Sequence, residues 1–114
     1  MGVKLAMSKL PEAALVDIAT LLKALADPMR MKLIRAMHAS ERSVSQLIKD
    51  VGGLQANVSK HLGILARVGL ISARRDGTTV YYKLADPCVK VICQSVCDGY
   101  GRILEKKMSH VRSK

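Results

Sequence analysis

The sequence predicts a mainly α-helical domain carrying one β-hairpin, in the order α-α-α-α-β-β-α. Three observations predict it. Apolar residues recur at helical spacing over most of the 114 residues. The rhythm changes to alternation on both sides of Asp76-Gly77, a tight-hairpin signal. A glycine-containing turn joins a short helical segment to a longer one, which is the spacing of a helix-turn-helix. A chain of this length is expected to form one domain over 1–114, with residues 1–9 and 109–114 as flexible tails.

Residues 11–25 read PEAALVDIATLLKAL, and Leu15, Ile18, Leu22 and Leu25 form one stripe on a helix. Asp27-Pro28 restarts the chain, with Asp as N-cap and Pro at the first helical position, where its missing N–H costs nothing. Met29, Leu33 and Met37, with Ile34 beside them, give a second helix ending near His38-Ala39. Ser43 and Gln46 fit a capping box. Behind them Val44, Leu47, Ile48 and Val51 make a short third helix, closed by Gly52-Gly53. The fourth helix runs from about Gln55 to Val68, with Val58, Leu62 and Leu65 inward and Gly69 as its stop. Leu70 to Arg75 and Thr79 to Leu84 are the hairpin strands. Asp86-Pro87 opens a fifth helix to about Met108, with Val89, Ile92, Val96, Tyr100, Ile103 and Leu104 on one stripe.

Nineteen Lys and Arg against nine Asp and Glu give a net charge of +10. So lopsided a balance favours a polyanionic partner over a merely solubilising surface, which would carry both signs more evenly. The chain is 49% hydrophobic and 25% charged, the balance of a soluble globular protein. No apolar run approaches the roughly 18–20 residues that cross a bilayer, so no membrane partner is expected. The opening MGVKLAMSKLPEAAL lacks the apolar core of a signal peptide, which points to the cytoplasm. With no Trp or Phe and three Tyr, the core must be built from Leu, Ile, Val, Met and Ala. A chain this small buries only about two-thirds of its unfolded surface, and dimerisation is a natural remedy.

With Val58 inward on the fourth helix, Ala56, Lys60, Gly63 and Arg67 point away from the core, and Asn57 and Ser59 lie on the shoulders. Gln55, Asn57, Ser59 and Lys60 then make a short-chained polar and cationic face near the helix start. Gln and Asn pair bidentately with adenine, Ser donates or accepts, and Lys reaches guanine or phosphate. His61 is a DNA-side or packing residue. Gly63 costs the helix about 1 kcal/mol against Ala, a loss that close approach to a groove would explain. Arg74 and Arg75 precede the hairpin tip, and Lys83 lies on its second strand. A basic two-stranded wing lays arginines along phosphates or into a minor groove. Edge-strand charge also serves simply to discourage sheet pairing. Charge, helix-turn-helix spacing and hairpin together point to double-stranded DNA. Single-stranded RNA is disfavoured, because stacking platforms need aromatics.

ALADPMRMKLIRAM, then SVSQLIKDVGGLQANVSKHLGILARVGLISARRDGTTVYYKLADP, resembles the ArsR/SmtB family of small bacterial transcriptional repressors. The resemblance runs from about Leu21 to Met108, and VSKHLGILARVGLI with the wing RRDGTTVYYKL is its most specific part. It implies a winged helix-turn-helix homodimer, joined mainly through its first and last helices. Such a dimer binds a double-stranded operator and lets go on sensing an inducer.

All three cysteines, Cys88, Cys93 and Cys97, fall on the fifth helix. An odd count in a cytosolic chain argues against a disulfide framework, and no CxxC is present. Cys93 and Cys97 are four apart, on one edge of the apolar stripe, near enough for both sulfurs to hold one soft ion. Cys88 is about 140° around from Cys93 and half a turn from Cys97. A continuous helix therefore cannot bring all three together without fraying near Pro87, another segment or a dimer mate. The first-turn position of Cys88 favours a reactive thiolate. Cys is also a small, often buried hydrophobe, but three on one helix of a chain otherwise without Cys favour a function.

The resemblance narrows the choice by what is missing. Arsenic sensors similar to this chain carry Cys-x-Cys on the third helix, which here reads SVSQLIKDV. Zinc and cobalt sensors use Asp, His and Glu on the last helix, where the one histidine here is His110, past Met108, and Asp98-Gly99-Tyr100 does not supply the pattern. The persulfide-sensing branch pairs a last-helix Cys with one on the second helix, and PMRMKLIRAM has none. What remains is an all-last-helix thiol site, similar to variant sites of some arsenite-responsive members. Its metal ligands are Cys93 and Cys97, with Cys88 secondary. As(III) or Sb(III) is the first-choice inducer, cadmium or lead the second, and reactive-sulfur or oxidant sensing a rival. No obligatory cofactor is expected. An enzyme is disfavoured, since no convergent nucleophile, base and orienting group can be named. A metal-buffering thiol protein would not need the basic helix-turn-helix. His38 and the six Met read as structural.

Overall fold

Local capping chemistry at Asp27, Ser43 and Asp86 sets where three of the helices of this protein begin, and a computed structural model describes the result over residues 5–112. After a 3-10 turn at Met7–Lys9, α1 spans Glu12–Leu25, α2 Pro28–Ala36, α3 Val44–Val51 and α4 Gln55–Arg67. A two-residue strand, β1 (Arg42–Ser43), precedes α3. The hairpin strands are β2 (Ile71–Asp76) and β3 (Thr79–Leu84), and α5 runs over Pro87–Arg112. The sheet is antiparallel in the order β1-β3-β2, so that Tyr81 of β3 sits between Ser43 and Arg74.

The Asp27 carboxylate accepts the Arg30 N–H at 3.0 Å, with Pro28 in the first turn of α2. At the start of α3, Ser43 Oγ accepts the Gln46 N–H at 3.1 Å, and Gln46 Oε1 accepts the Ser43 N–H at 2.9 Å. Gly52, with φ of 68°, closes α3 in the left-handed conformation. Gly53 lets the turn pack tightly, since an added Cβ there would lie 3.1 Å from Val58 and 3.2 Å from Met29. Asp86 opens α5 by accepting the Cys88 N–H at 2.8 Å.

Four boundaries differ from the sequence expectation. β1 carries no signal of its own and exists because β3 offers it a pairing edge. The hairpin loop is Gly77-Thr78, because Asp76 still pairs with Thr79. Gly77 takes φ of 64°, the positive value a two-residue turn needs at its first central position. α2 stops at Ala36, short of His38-Ala39. α5 continues to Arg112, so residues 109–112 are helical rather than a tail. Residues 1–4 and 113–114 of the expected tails lie outside the described residues.

The core joins Leu33, Ile34 and Met37 of α2, Leu47 of α3, and Val58, Leu62 and Leu65 of α4 to Leu70, Ile71 and Val89. α1 and α5 behave differently. Of the α1 stripe only Leu25 is buried, while Leu15, Ile18 and Leu22 are exposed. On α5 the residues Val96, Tyr100, Ile103 and Leu104 are 40–59% exposed. The radius of gyration is 17.1 Å, against about 13 Å for a compact chain of this length. Two apolar helix faces therefore stand outside the protomer's own core, as surfaces covered by a partner do. No helix among the described residues is long and apolar enough to cross a membrane.

Candidate functional site

Burial of Val58, Leu62 and Leu65 fixes the roll of α4 about its axis and leaves Gln55, Ala56, Asn57, Ser59 and Lys60 facing solvent. Among the described residues, the side chains of Gln55, Asn57, Ser59 and Lys60 have no partner. Gly63 also opens outward, since an added Cβ would meet nothing within 4 Å.

Two residues expected on this face are placed elsewhere. Arg67 ends α4 about 18 Å from Gln55 and lines a shallow groove with Asp17 and Leu21 of α1. The His61 side chain is only 12% exposed, and its Nδ1 accepts a hydrogen bond from Arg30 Nη1 at 3.2 Å. His61 is thus a packing residue that holds α4 against α2. Arg30 also donates from Nε to the Ala24 carbonyl, and its backbone N–H holds the Asp27 carboxyl below its usual pKa. One arginine links α1, α2 and α4. Its only sequence signal was a basic residue three positions beyond a cap.

The wing separates its two arginines. Arg74 grips Glu41 with two prongs, Nε to Oε2 at 3.2 Å and Nη2 to Oε1 at 2.7 Å. Its guanidinium lies 4.6 Å from the centroid of the Tyr81 ring and 3.8 Å from Asp76. The Arg74 hydrogen bond pulls the Glu41 carboxyl below its usual pKa, and the same bond raises that of the guanidinium. Arg74 therefore fastens the wing to the segment before β1. Arg75 is exposed opposite Val80, with no side-chain partner among the described residues. Lys83 is also exposed. Glu41 is 33 residues from Arg74, and nothing local announced their pairing.

On α5 the thiols divide as helical geometry requires. Cys93 is half-buried, and Cys97 and Cys88 are exposed. Cys93 and Cys97 share a cavity of about 360 Å³, lined on its other side by Met31, Ile34 and Arg35 of α2 and by His38 just beyond it. Partial burial pushes the Cys93 thiol above its ordinary pKa, and the neighbouring Cys97 adds like-charge repulsion. His38 donates from Nδ1 to the Ile34 carbonyl at 3.1 Å. Cys88 lies outside this cavity. Burial, then its contact with the Asp86 carboxylate, pushes its thiol upward in pKa. The cap that starts α5 thus opposes the thiolate that a first-turn position was expected to favour. Among the described residues no group of three His, Cys, Asp or Glu comes together to hold a metal ion, so Cys88 does not join Cys93 and Cys97 within the protomer. This wall was not found from the sequence, where His38 and the methionines read as structural.

A two-helix reader with an unpartnered polar face, backed by an antiparallel wing, is the winged helix-turn-helix of DNA-binding regulators. A helix-turn-helix domain model matches residues 25–74. The regulator Rv0081 of Mycobacterium tuberculosis is 33% identical over 88 residues, 76% of this chain and 77% of the relative. Its crystal structure superposes with a TM-score of 0.79, covering 86% of this chain and 99% of that one. The homodimeric winged helix-turn-helix domain Mb0332 of Mycobacterium bovis matches with a TM-score of 0.77 at 29% identity, over 88% of this chain and 95% of that one. The repressor SmtB of M. tuberculosis is 38% identical over 67% of this chain and 57% of its own. The probable mercury resistance operon repressor of Streptomyces lividans is 42% identical over 59% of this chain and 54% of its own. This chain belongs to the ArsR/SmtB family of winged-helix transcriptional repressors.

Proposed function

We propose that the protein is a cytoplasmic, homodimeric repressor of a double-stranded DNA operator, released when a thiophilic inducer engages Cys93 and Cys97. The unpartnered Gln55, Asn57, Ser59 and Lys60 enter the major groove, and the free Arg75 of each wing lies on phosphate. The exposed apolar faces of α1 and α5 supply the dimer contact, in keeping with the homodimeric M. bovis neighbour.

One observation carries the regulatory half. The two thiols share a cavity whose opposite wall is α2 of the DNA-binding core, while the outer part of α5 projects its apolar face. A ligand held there bears on how α5 sits against the core. That in turn bears on the separation of two recognition helices that must meet grooves about 34 Å apart. A hundredfold loss of operator affinity needs a coupling of about 2.7 kcal/mol, within the range of allosteric effects.

As(III) or Sb(III) suits this pair, because each bonds to thiols without requiring histidine or carboxylate. Reactive-sulfur or oxidant sensing at the same pair is the rival reading. Cadmium and lead are less well served, since among the described residues no group of three His, Cys, Asp or Glu comes together to hold them. A second reading is Hg(II), which is satisfied by two thiolates and is favoured by the S. lividans relative. Titrating arsenite and Hg(II) separately against the repressor–operator complex tests both. Release by arsenite supports the first reading, and release by Hg(II) alone moves the assignment to the second.

A further inference from the structure

We infer that Leu54, the residue before α4, packs on the 5-methyl group of a thymine in each operator half-site and makes binding sensitive to that methyl. This rests on the reading that places the start of α4 in the major groove, and it adds a specificity-determining residue to it. Leu54 is 81% exposed, more than any other large apolar side chain among the described residues. A lone exposed leucine is ordinary on a protein surface. Its place here is not. Every other exposed large apolar side chain among the described residues lies at or before Met31 or at or after Val91, mostly on α1 and α5. Leu54 stands apart from those faces, directly beside the unpartnered Gln55 and Asn57.

Leucine also suits this position poorly as far as folding is concerned. The Leu54 carbonyl accepts the Val58 N–H at 2.9 Å and opens α4, which makes Leu54 its N-cap. That place favours Ser, Thr, Asp or Asn, whose side chains accept a first-turn N–H, and Leu is among the poorest residues there. Asp27 and Ser43 cap α2 and α3 in this way, whereas no side chain at the N-cap does so for α4. Gly53 packs closely on Val58 and Met29, and the next side chain, Leu54, projects outward. An A·T pair shows the major groove two things at once. One is the adenine edge, with which Gln55 and Asn57 can pair, and the other is the thymine methyl, which an apolar group rewards.

The test is a double-mutant cycle on the full-length protein and a duplex that the protein selects from random-sequence DNA. Leu54→Ser changes the protein, and replacing thymine by uracil changes the DNA by the methyl alone. Thymines of one half-site and their symmetry mates are replaced a pair at a time, with affinity read by fluorescence anisotropy. For the wild type one such replacement should weaken binding about fifteenfold, or about fourfold for each methyl left unburied. Leu54→Ser should bind that duplex and its thymine parent alike. It should also raise the Tm of the free protein by a few degrees, since serine supplies the missing cap, so the lost methyl sensitivity does not come from a damaged fold. A uracil scan without effect on the wild type overturns the inference. So does a methyl effect that keeps its full size in Leu54→Ser, which then belongs to another residue. The groove reading is judged separately by Asn57→Ala and Lys60→Ala. Impaired binding in either keeps α4 in the groove even if the inference about Leu54 fails, and wild-type affinity in both removes it.

Discussion

Arg74 and Arg75 are adjacent in sequence and both basic, yet the structure predicts opposite electrostatic phenotypes for them. Arg75 is exposed without a partner, whereas Arg74 is held by the Glu41 carboxylate at 2.7 and 3.2 Å. Each neutralised phosphate contributes about 0.9 to the slope of log affinity against log salt. A homodimer presents two wings, so Arg75→Ala should lower that slope by about 1.8. Arg74 and Glu41 together carry no net charge. Arg74→Ala should therefore leave the slope near wild type while weakening binding, because it loosens the wing and exposes the Glu41 charge to DNA. Glu41→Gln releases the guanidinium and should raise the slope, by up to the same amount as Arg75→Ala lowers it. Fluorescence anisotropy on operator and unrelated duplexes across a salt series reads all three. The reasoning is refuted if Arg74→Ala lowers the slope as much as Arg75→Ala and Glu41→Gln leaves it unchanged.

Asn57→Ala and Lys60→Ala should impair binding to the operator, and operator affinities equal to wild type in both would remove α4 from the groove. Ile103→Glu or Leu104→Glu places charge on the exposed α5 stripe and should shift the protein toward monomer in sedimentation, weakening operator binding with it. A stable wild-type monomer at micromolar concentration would contradict the dimer. The raised pKa of Cys93 has a definite sign. Its neutral form is favoured in the fold, so this thiol stabilises the protein below the ordinary thiol pKa, and the contribution is lost as pH rises through the folded value. Alkylation of Cys93 by iodoacetamide should accordingly be slow at neutral pH and accelerate above pH 9. Rapid alkylation at pH 7 would contradict the assigned burial.

Features encoded within a few residues were legible. Asp27-Pro28 and the Ser43–Gln46 box act on N–H groups two or three positions away, and both place their helices where expected. The inward face of α4 followed from Val58, Leu62 and Leu65, because a 3.6-residue period admits one buried side. The same period on α1 and α5 showed an apolar stripe but not what covers it. Leu22 and Leu33 look alike in sequence, yet one is exposed and the other fully buried. Contacts between distant segments were not legible. Arg74 with Glu41, Arg30 with His61, and β1 with β3 depend on tertiary placement. The thiol site fell between these cases. Helical spacing paired Cys93 with Cys97 and set Cys88 apart, but only the packing of α5 against α2 supplied the wall holding Met31 and His38.

The central claim is that a thiol pair on α5 controls operator release, and arsenite titration of the repressor–operator complex tests it most directly. Wild type and Cys88→Ser should both release the operator as arsenite rises. Cys93→Ser and Cys97→Ser should bind the operator with wild-type affinity and stay bound throughout. The account is contradicted if Cys88→Ser alone abolishes release, or if the Cys93 and Cys97 variants let go at the same arsenite concentration as the wild type.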